Sequence, residues 1–69
     1  MLIGYKVKVL EREMEGIVID ETRNTIVLKT PKGIKRVIKD GNRFIVNMYN
    51  KEIKVSGKEI KMRSWEYAL

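Results

Sequence analysis

Apolar residues recur at every second position along most of this chain. Tyr5, Val7 and Val9 alternate with Lys6 and Lys8, Ile26 and Leu28 stand between Thr25, Val27 and Lys29, and Phe44, Val46 and Met48 between Arg43, Ile45 and Asn47. A period of two sends successive side chains to opposite faces of a pleated strand, whereas one face of a helix repeats every three or four positions. The apolar set is rich in isoleucine and valine, whose branched Cβ atoms suit a strand better than a helix interior. The pattern therefore predicts strands from the start of the chain to about Ser56.

The breaks between these runs carry turn chemistry. Thr22-Arg23-Asn24 separates Ile17-Val18-Ile19 from Thr25–Leu28, Pro31-Lys32-Gly33 precedes Ile34–Ile38, Asp40-Gly41-Asn42 precedes Arg43–Tyr49, and Asn50-Lys51 leads into Glu52–Ser56. Asparagine tolerates the left-handed region, proline sets φ at the start of a turn and glycine supplies positive φ near its end. Six short antiparallel strands at this spacing predict a small all-β barrel, in which curling brings the sheet edges together and away from other chains. From Gly57 the alternation lapses. Ile60, Met62 and Trp65 suit either an extended tail over the barrel end or a helix, with a helical turn expected from about Ser64, capped by that serine. The expected organisation is one domain over 1–69, with 57–69 as its tail.

Charge changes the picture because it is unevenly placed. Fifteen Lys and Arg against nine Asp and Glu give +6 overall, a balance suited to a polyanionic partner. Lys29, Lys32, Lys35, Arg36, Lys39 and Arg43 face only Asp40 within 29–43, whereas Glu11, Glu13, Glu15, Asp20 and Glu21 face only Arg12 within 11–21. Two segments of opposite sign predict one surface for nucleic acid and another for a basic or neutral protein. Since residues 35 and 39 share strand parity while 36 faces the other way, a single basic surface requires twist, a bulge or the loop at Gly41 to gather them.

Composition narrows the chemistry. The 69 residues include neither cysteine nor histidine, which excludes disulfides, thiolate or imidazole catalysis and the usual zinc ligands. A chain of this length buries only about 60% of its unfolded surface, which favours a binding face over an enclosed active site. The five carboxylates of 11–21 lack the Asp/Asn and glycine spacing of a calcium loop, and Asp20-Glu21 fit a turn-bonding role better than acid–base work. The glycines form no phosphate-binding motif. Tyr5, Tyr49, Trp65 and Tyr67 offer faces on which unpaired bases can stack. The apolar tail that Trp65 forms with Ile60 and Met62 fits core packing or a partner interface better, and Trp65 and Tyr67 are expected to contact a partner or cover an open barrel end. The first ten residues hold only a short apolar start before Lys6 and Lys8, and no run has the length of a membrane span, so a soluble cytoplasmic chain is expected.

Three stretches carry a family resemblance. Leu2-Ile3-Gly4-Tyr5-Lys6-Val7-Lys8-Val9, the hairpin Gly16-Ile17-Val18-Ile19-Asp20-Glu21-Thr22-Arg23-Asn24-Thr25-Ile26-Val27-Leu28, and Lys35-Arg36-Val37-Ile38-Lys39-Asp40-Gly41 follow in order, with Val55-Ser56-Gly57 and Arg63 beyond them. Together they resemble the Sm-like protein subunit of archaeal and eukaryotic ribonuclease P, and the hairpin is the specific part. The chain departs from the family's pattern at both ends. The N-terminal helical extension usual in the family does not appear, and the closing R-P-x-D/E-R pattern reads Arg63-Ser64-Trp65-Glu66-Tyr67.

The resemblance implies an Sm-like barrel that binds the ribonuclease P RNA, pairs with a zinc-ribbon subunit and assists removal of the 5′ leader from precursor tRNA, which it meets only indirectly. It implies that the RNA does the chemistry, with magnesium at the RNA active site and neither cofactor nor catalytic residue on this chain. Arg23, Lys29, Lys35, Arg36, Lys39 and Arg43 are the expected RNA-binding residues, and Trp65 and Tyr67 the expected protein contacts. Two other readings stay open from the residues alone: an Sm-like or SH3-like RNA module of a ribosomal or regulatory particle, and a protein-interaction domain with a merely solubilising basic face.

Overall fold

The computed structural model describes residues 2–62. Strands β1 (Lys6–Val9), β2 (Met14–Glu21), β3 (Thr25–Thr30), β4 (Gly33–Ile38), β5 (Arg43–Met48) and β6 (Lys51–Ser56) are followed by helix α1 (Gly57–Met62), and a single 3-10 turn, Leu10–Arg12, joins β1 to β2. The strands form one antiparallel sheet in the order β4-β3-β2-β1-β5-β6. The alternation read from the sequence becomes the inner face: Val7, Val9, Val18, Ile26, Leu28, Val37, Phe44, Val46, Met48 and Val55 are buried together, with Leu2 and Ile60 added from the two flanks. Removing this branched and aromatic surface from water is the main stabilising contribution, at about 25 cal/mol per Å² of apolar area.

The sheet curls as a barrel does, but its two edges are not joined by a strand ladder. β4 and β6 remain the outermost strands. The register of β2 slips between Val18 and Asp20, leaving Ile19 as an extra residue, and such a bulge bends the strand and increases its twist. The Lys39 amide donates to the Asn24 carbonyl at 2.8 Å and prolongs the β3–β4 ladder, and the Gly57 amide donates to the Asn42 carbonyl at 2.8 Å and prolongs the β5–β6 ladder. The two ladder ends meet at a seam where Gly57 lies against Lys39. Gly57 is needed there for space: a Cβ at this position would run into the Lys39 carbonyl.

Two connections differ from the sequence expectation. The β5–β6 hairpin turns at Tyr49-Asn50, one residue earlier than Asn50-Lys51, with φ of 50° and 63°. Positive φ at both central residues matches the natural twist of a tight hairpin, so the turn geometry prevails over the preference of tyrosine. The second difference is α1, a helix over Gly57–Met62 where the sequence left tail and helix open. The Glu59 amide donates to Ser56 Oγ at 3.1 Å, and the Ser56 amide donates to Glu59 Oε1 at 3.1 Å. This reciprocal pair is a capping box, and with the burial of Ile60 it holds a helix too short to persist alone. Ser64, Trp65 and Tyr67 lie outside the described residues. Among the described residues no helix is long and apolar enough to cross a membrane.

Candidate nucleic-acid interface

Strand pairing separates the cations that stand together in the sequence. In the β3–β4 ladder, Val27 faces Arg36, Leu28 faces Lys35 and Lys29 faces Ile34. Leu28 belongs to the inner face, so Lys35 takes the inward parity where the sheet opens at its end, whereas Arg36 and Lys29 point outward as diagonal neighbours. No twist or bulge gathers all six expected residues onto one surface.

Lys39 requires a correction, because it is buried. Two positions beyond Val37, it continues the inward parity, and its side chain is only 4% exposed. Its Nζ donates to Glu21 Oε2 at 3.0 Å, while the other oxygen of Glu21 accepts the Leu2 amide at 2.7 Å. One carboxylate thus ties the N-terminal residues, the end of β2 and the segment after β4 together. Glu21 therefore acts as a long-range link rather than the turn-bonding group expected from its place beside the hairpin. Asp20 does play the local role, with Oδ1 accepting the Glu21 amide at 2.8 Å.

Arg43 is exposed but already engaged. Its Nε donates to Glu11 Oε2 at 2.6 Å, and its backbone amide donates to Glu11 Oε1 at 2.7 Å. The Arg43 side chain, followed by its backbone amide, holds the Glu11 carboxyl below the ordinary carboxylate range. Glu11 and Glu21 of the acidic segment thus each neutralise a cation of the basic window, while Glu13, Glu15 and Asp20 stay exposed. Glu15 lies 3.7 Å from Lys6 Nζ.

Arg23, Lys29, Lys35 and Arg36 are exposed and make no ion pair among the described residues. Arg23 stands in the β2–β3 turn. Lys29 and Arg36 share an outer face on which Ile17 and Ile34 flank Lys29 across the ladder. Lys35 lines a cleft of about 400 Å³ with Arg12 and Lys32, where the start of β2 meets the β3–β4 turn. Arg12 and Lys32 were not among the sequence candidates. Arg12 stands among glutamates in the chain, and only the fold brings it across to the basic turn.

The aromatic candidates divide similarly. Tyr5 packs against the core, and its interaction with the Tyr49 hydroxyl, aided by burial, raises its phenol above the ordinary value. Tyr49 is exposed at the tip of the β5–β6 hairpin. Among the described residues no group of acidic side chains is arranged to hold a metal ion.

Residues 2–68 match the family described as "Ribonuclease P/MRP, subunit p29". The chain is similar to ribonuclease P protein component 1 of Archaeoglobus fulgidus, at 37% identity over 67 residues covering 88% of this chain and 66% of that protein. It is also similar to ribonuclease P protein component 1 of Methanocaldococcus jannaschii, at 38% identity over 64 residues covering 83% of this chain and 67% of that protein. The chain thus spans about two thirds of the length of these relatives. A curled six-stranded sheet with unpaired surface cations, matched to this family over nearly its whole sequence, belongs to the ribonuclease P/MRP subunit p29 family.

Proposed function

We propose that this chain is an RNA-binding, non-catalytic subunit of ribonuclease P that helps the catalytic RNA remove the 5′ leader from precursor tRNA. The carrying observation is the family match across residues 2–68, and the division of its cations into paired and unpaired sets supports an RNA-contacting role. Lys39 and Arg43 stabilise the fold through Glu21 and Glu11, while Arg23, Lys29, Lys35 and Arg36 stay available to phosphate oxygens. Each phosphate contact releases condensed counterions, so binding weakens steeply with salt. Arg36 adds a planar fork that can hold two phosphate oxygens at once.

The RNA supplies the reaction centre, with magnesium bound there and not by this chain, and precursor tRNA meets the protein indirectly within a cytoplasmic particle. The protein partner is a zinc-ribbon subunit. Ile34 and Ile38, 65% and 57% exposed on edge strand β4, support docking of a protein alongside the RNA surface, and the sequence offers Trp65 and Tyr67 as further protein contacts. The test is a reconstitution with ribonuclease P RNA, precursor tRNA and magnesium. The chain alone should leave the tRNA leader intact and should raise cleavage when added to the RNA. Cleavage by the protein without RNA, abolished by changing Asp20, would contradict the non-catalytic reading.

A further inference from the structure

The cleft beside Lys35 sets apolar, cationic and acidic side chains around one concavity. Met14 and Pro31 give it an apolar part, and Arg12, Lys32 and Lys35 line it without an ion pair among the described residues. Glu13 also lines it, held at φ 48° and ψ 43° as the residue that ends the 3-10 turn. A non-glycine residue in this left-handed conformation carries a conformational cost, and such residues concentrate at binding sites. Glu15 contributes less free charge, because Lys6 Nζ lies 3.7 Å from its carboxylate.

These groups suit one chemical class together. Three cations attract a phosphate, and an apolar wall favours the flat face of a base. A carboxylate set among cations also accepts hydrogen bonds from the amino group of a nucleobase, a donor that the acidic side chains of a peptide do not offer. A base within a duplex has its pairing edge occupied, whereas an unpaired base presents that edge to protein side chains. The volume, about 400 Å³, lies near the lower end of the range for sites that enclose a small molecule, which suits a single nucleotide and not a helix.

We propose that this cleft receives one unpaired nucleotide of the RNA, with its phosphate held by Arg12, Lys32 and Lys35, its base against Met14 and Pro31, and its exocyclic amino group directed to Glu13. The proposal rests on the RNA-binding reading and adds a located, base-sensitive contact to it. The outer-face pair Lys29 and Arg36 binds phosphates without regard to pairing.

The experiment measures binding of the full 69-residue chain to three hairpin RNAs: one fully paired, one with a single bulged guanosine and one with a bulged uridine. The guanosine bulge should bind about tenfold more tightly than the paired hairpin, the scale of one good base contact. Arg12→Ala with Lys32→Ala should remove that advantage, and Glu13→Gln should bring guanosine and uridine bulges together. Lys29→Ala with Arg36→Ala should weaken all three hairpins in proportion. Circular dichroism confirms that each variant is folded. Equal affinity of the unaltered chain for all three hairpins overturns the nucleotide site while leaving RNA binding intact. Loss of every hairpin equally in the Arg12/Lys32 variant also overturns it. Competition by a polyglutamate peptide for the guanosine bulge, relieved in that same variant, would assign the cleft to an acidic protein segment instead. Failure to bind any hairpin removes the RNA reading and this site with it.

Discussion

Arg36 and Lys39 stand three residues apart, carry the same charge and flank the same apolar stretch, yet the fold uses them in opposite ways. Arg36 lies on the outer face of β4 opposite Val27 and meets no carboxylate among the described residues. Lys39 turns inward after Val37 and meets Glu21 at 3.0 Å, where both side chains are nearly excluded from water. The difference comes from strand parity and from a partner eighteen positions earlier in the chain. A run of cations in sequence is therefore not a surface; register decides which members face solvent and which become structural.

Removing the carboxylate under Lys39 breaks this contrast most severely. Glu21→Gln leaves a buried ammonium without its counter-charge and weakens the link to Leu2, and breaking such a pair costs about 3 to 5 kcal/mol. Urea unfolding should show a large fall in midpoint, and adding Lys39→Met should recover much of it. A midpoint unchanged by Glu21→Gln would mean that the pair is not buried in solution.

Gly57→Ala tests the same seam through space instead of charge. Its Cβ would meet the backbone carbonyl of Lys39, which cannot move aside without disturbing the Gly57–Asn42 and Lys39–Asn24 hydrogen bonds. Overpacking of this kind costs about 1 to 3 kcal/mol, and thermal unfolding should register it. The equivalent change at Gly41, whose Cβ would meet open space but whose φ is +80°, separates backbone strain from collision.

The Glu11–Arg43 pair gives the smallest effect. Its carboxyl is held below the ordinary range in the folded chain, so its stabilisation is present above the unfolded carboxyl value and disappears as pH falls through the folded one. Stability curves of the natural chain and Glu11→Gln should converge on the acid side and separate slightly toward neutrality. High salt should shrink the gap, because the pair is exposed.

Most of the sheet was legible because its period is short and its turns are local. Phe44, Val46 and Met48 alternate with exposed or half-buried neighbours as expected, and Thr22-Arg23-Asn24 turns where its chemistry indicated. The start of α1 was also written locally, in the three-residue spacing of Ser56 and Glu59, a capping box that shows only when both side chains are considered together. The candidate interface was less legible. Parity already set Lys35 and Lys39 against Arg36, but burial of Lys39 depends on Glu21, and the grouping of Arg12 with Lys32 and Lys35 depends on two connections meeting across the fold. Such long-range pairings leave no periodic trace in the chain.

The central claim is that RNA is held by located, unpaired cations and not by net charge alone. Its most direct measurement is the slope of log affinity against log salt for ribonuclease P RNA, compared between Lys29→Glu with Arg36→Glu and the equally charged control Lys51→Glu with Lys54→Glu. Each phosphate contact contributes about 0.7 to 0.9 to that slope. The Lys29/Arg36 variant should bind more weakly and show a slope shallower by about 1.4 to 1.8, while the β6 control stays close to the natural chain. Equal losses and equal slopes in the two variants would contradict the assignment and leave only the overall +6 charge to account for binding.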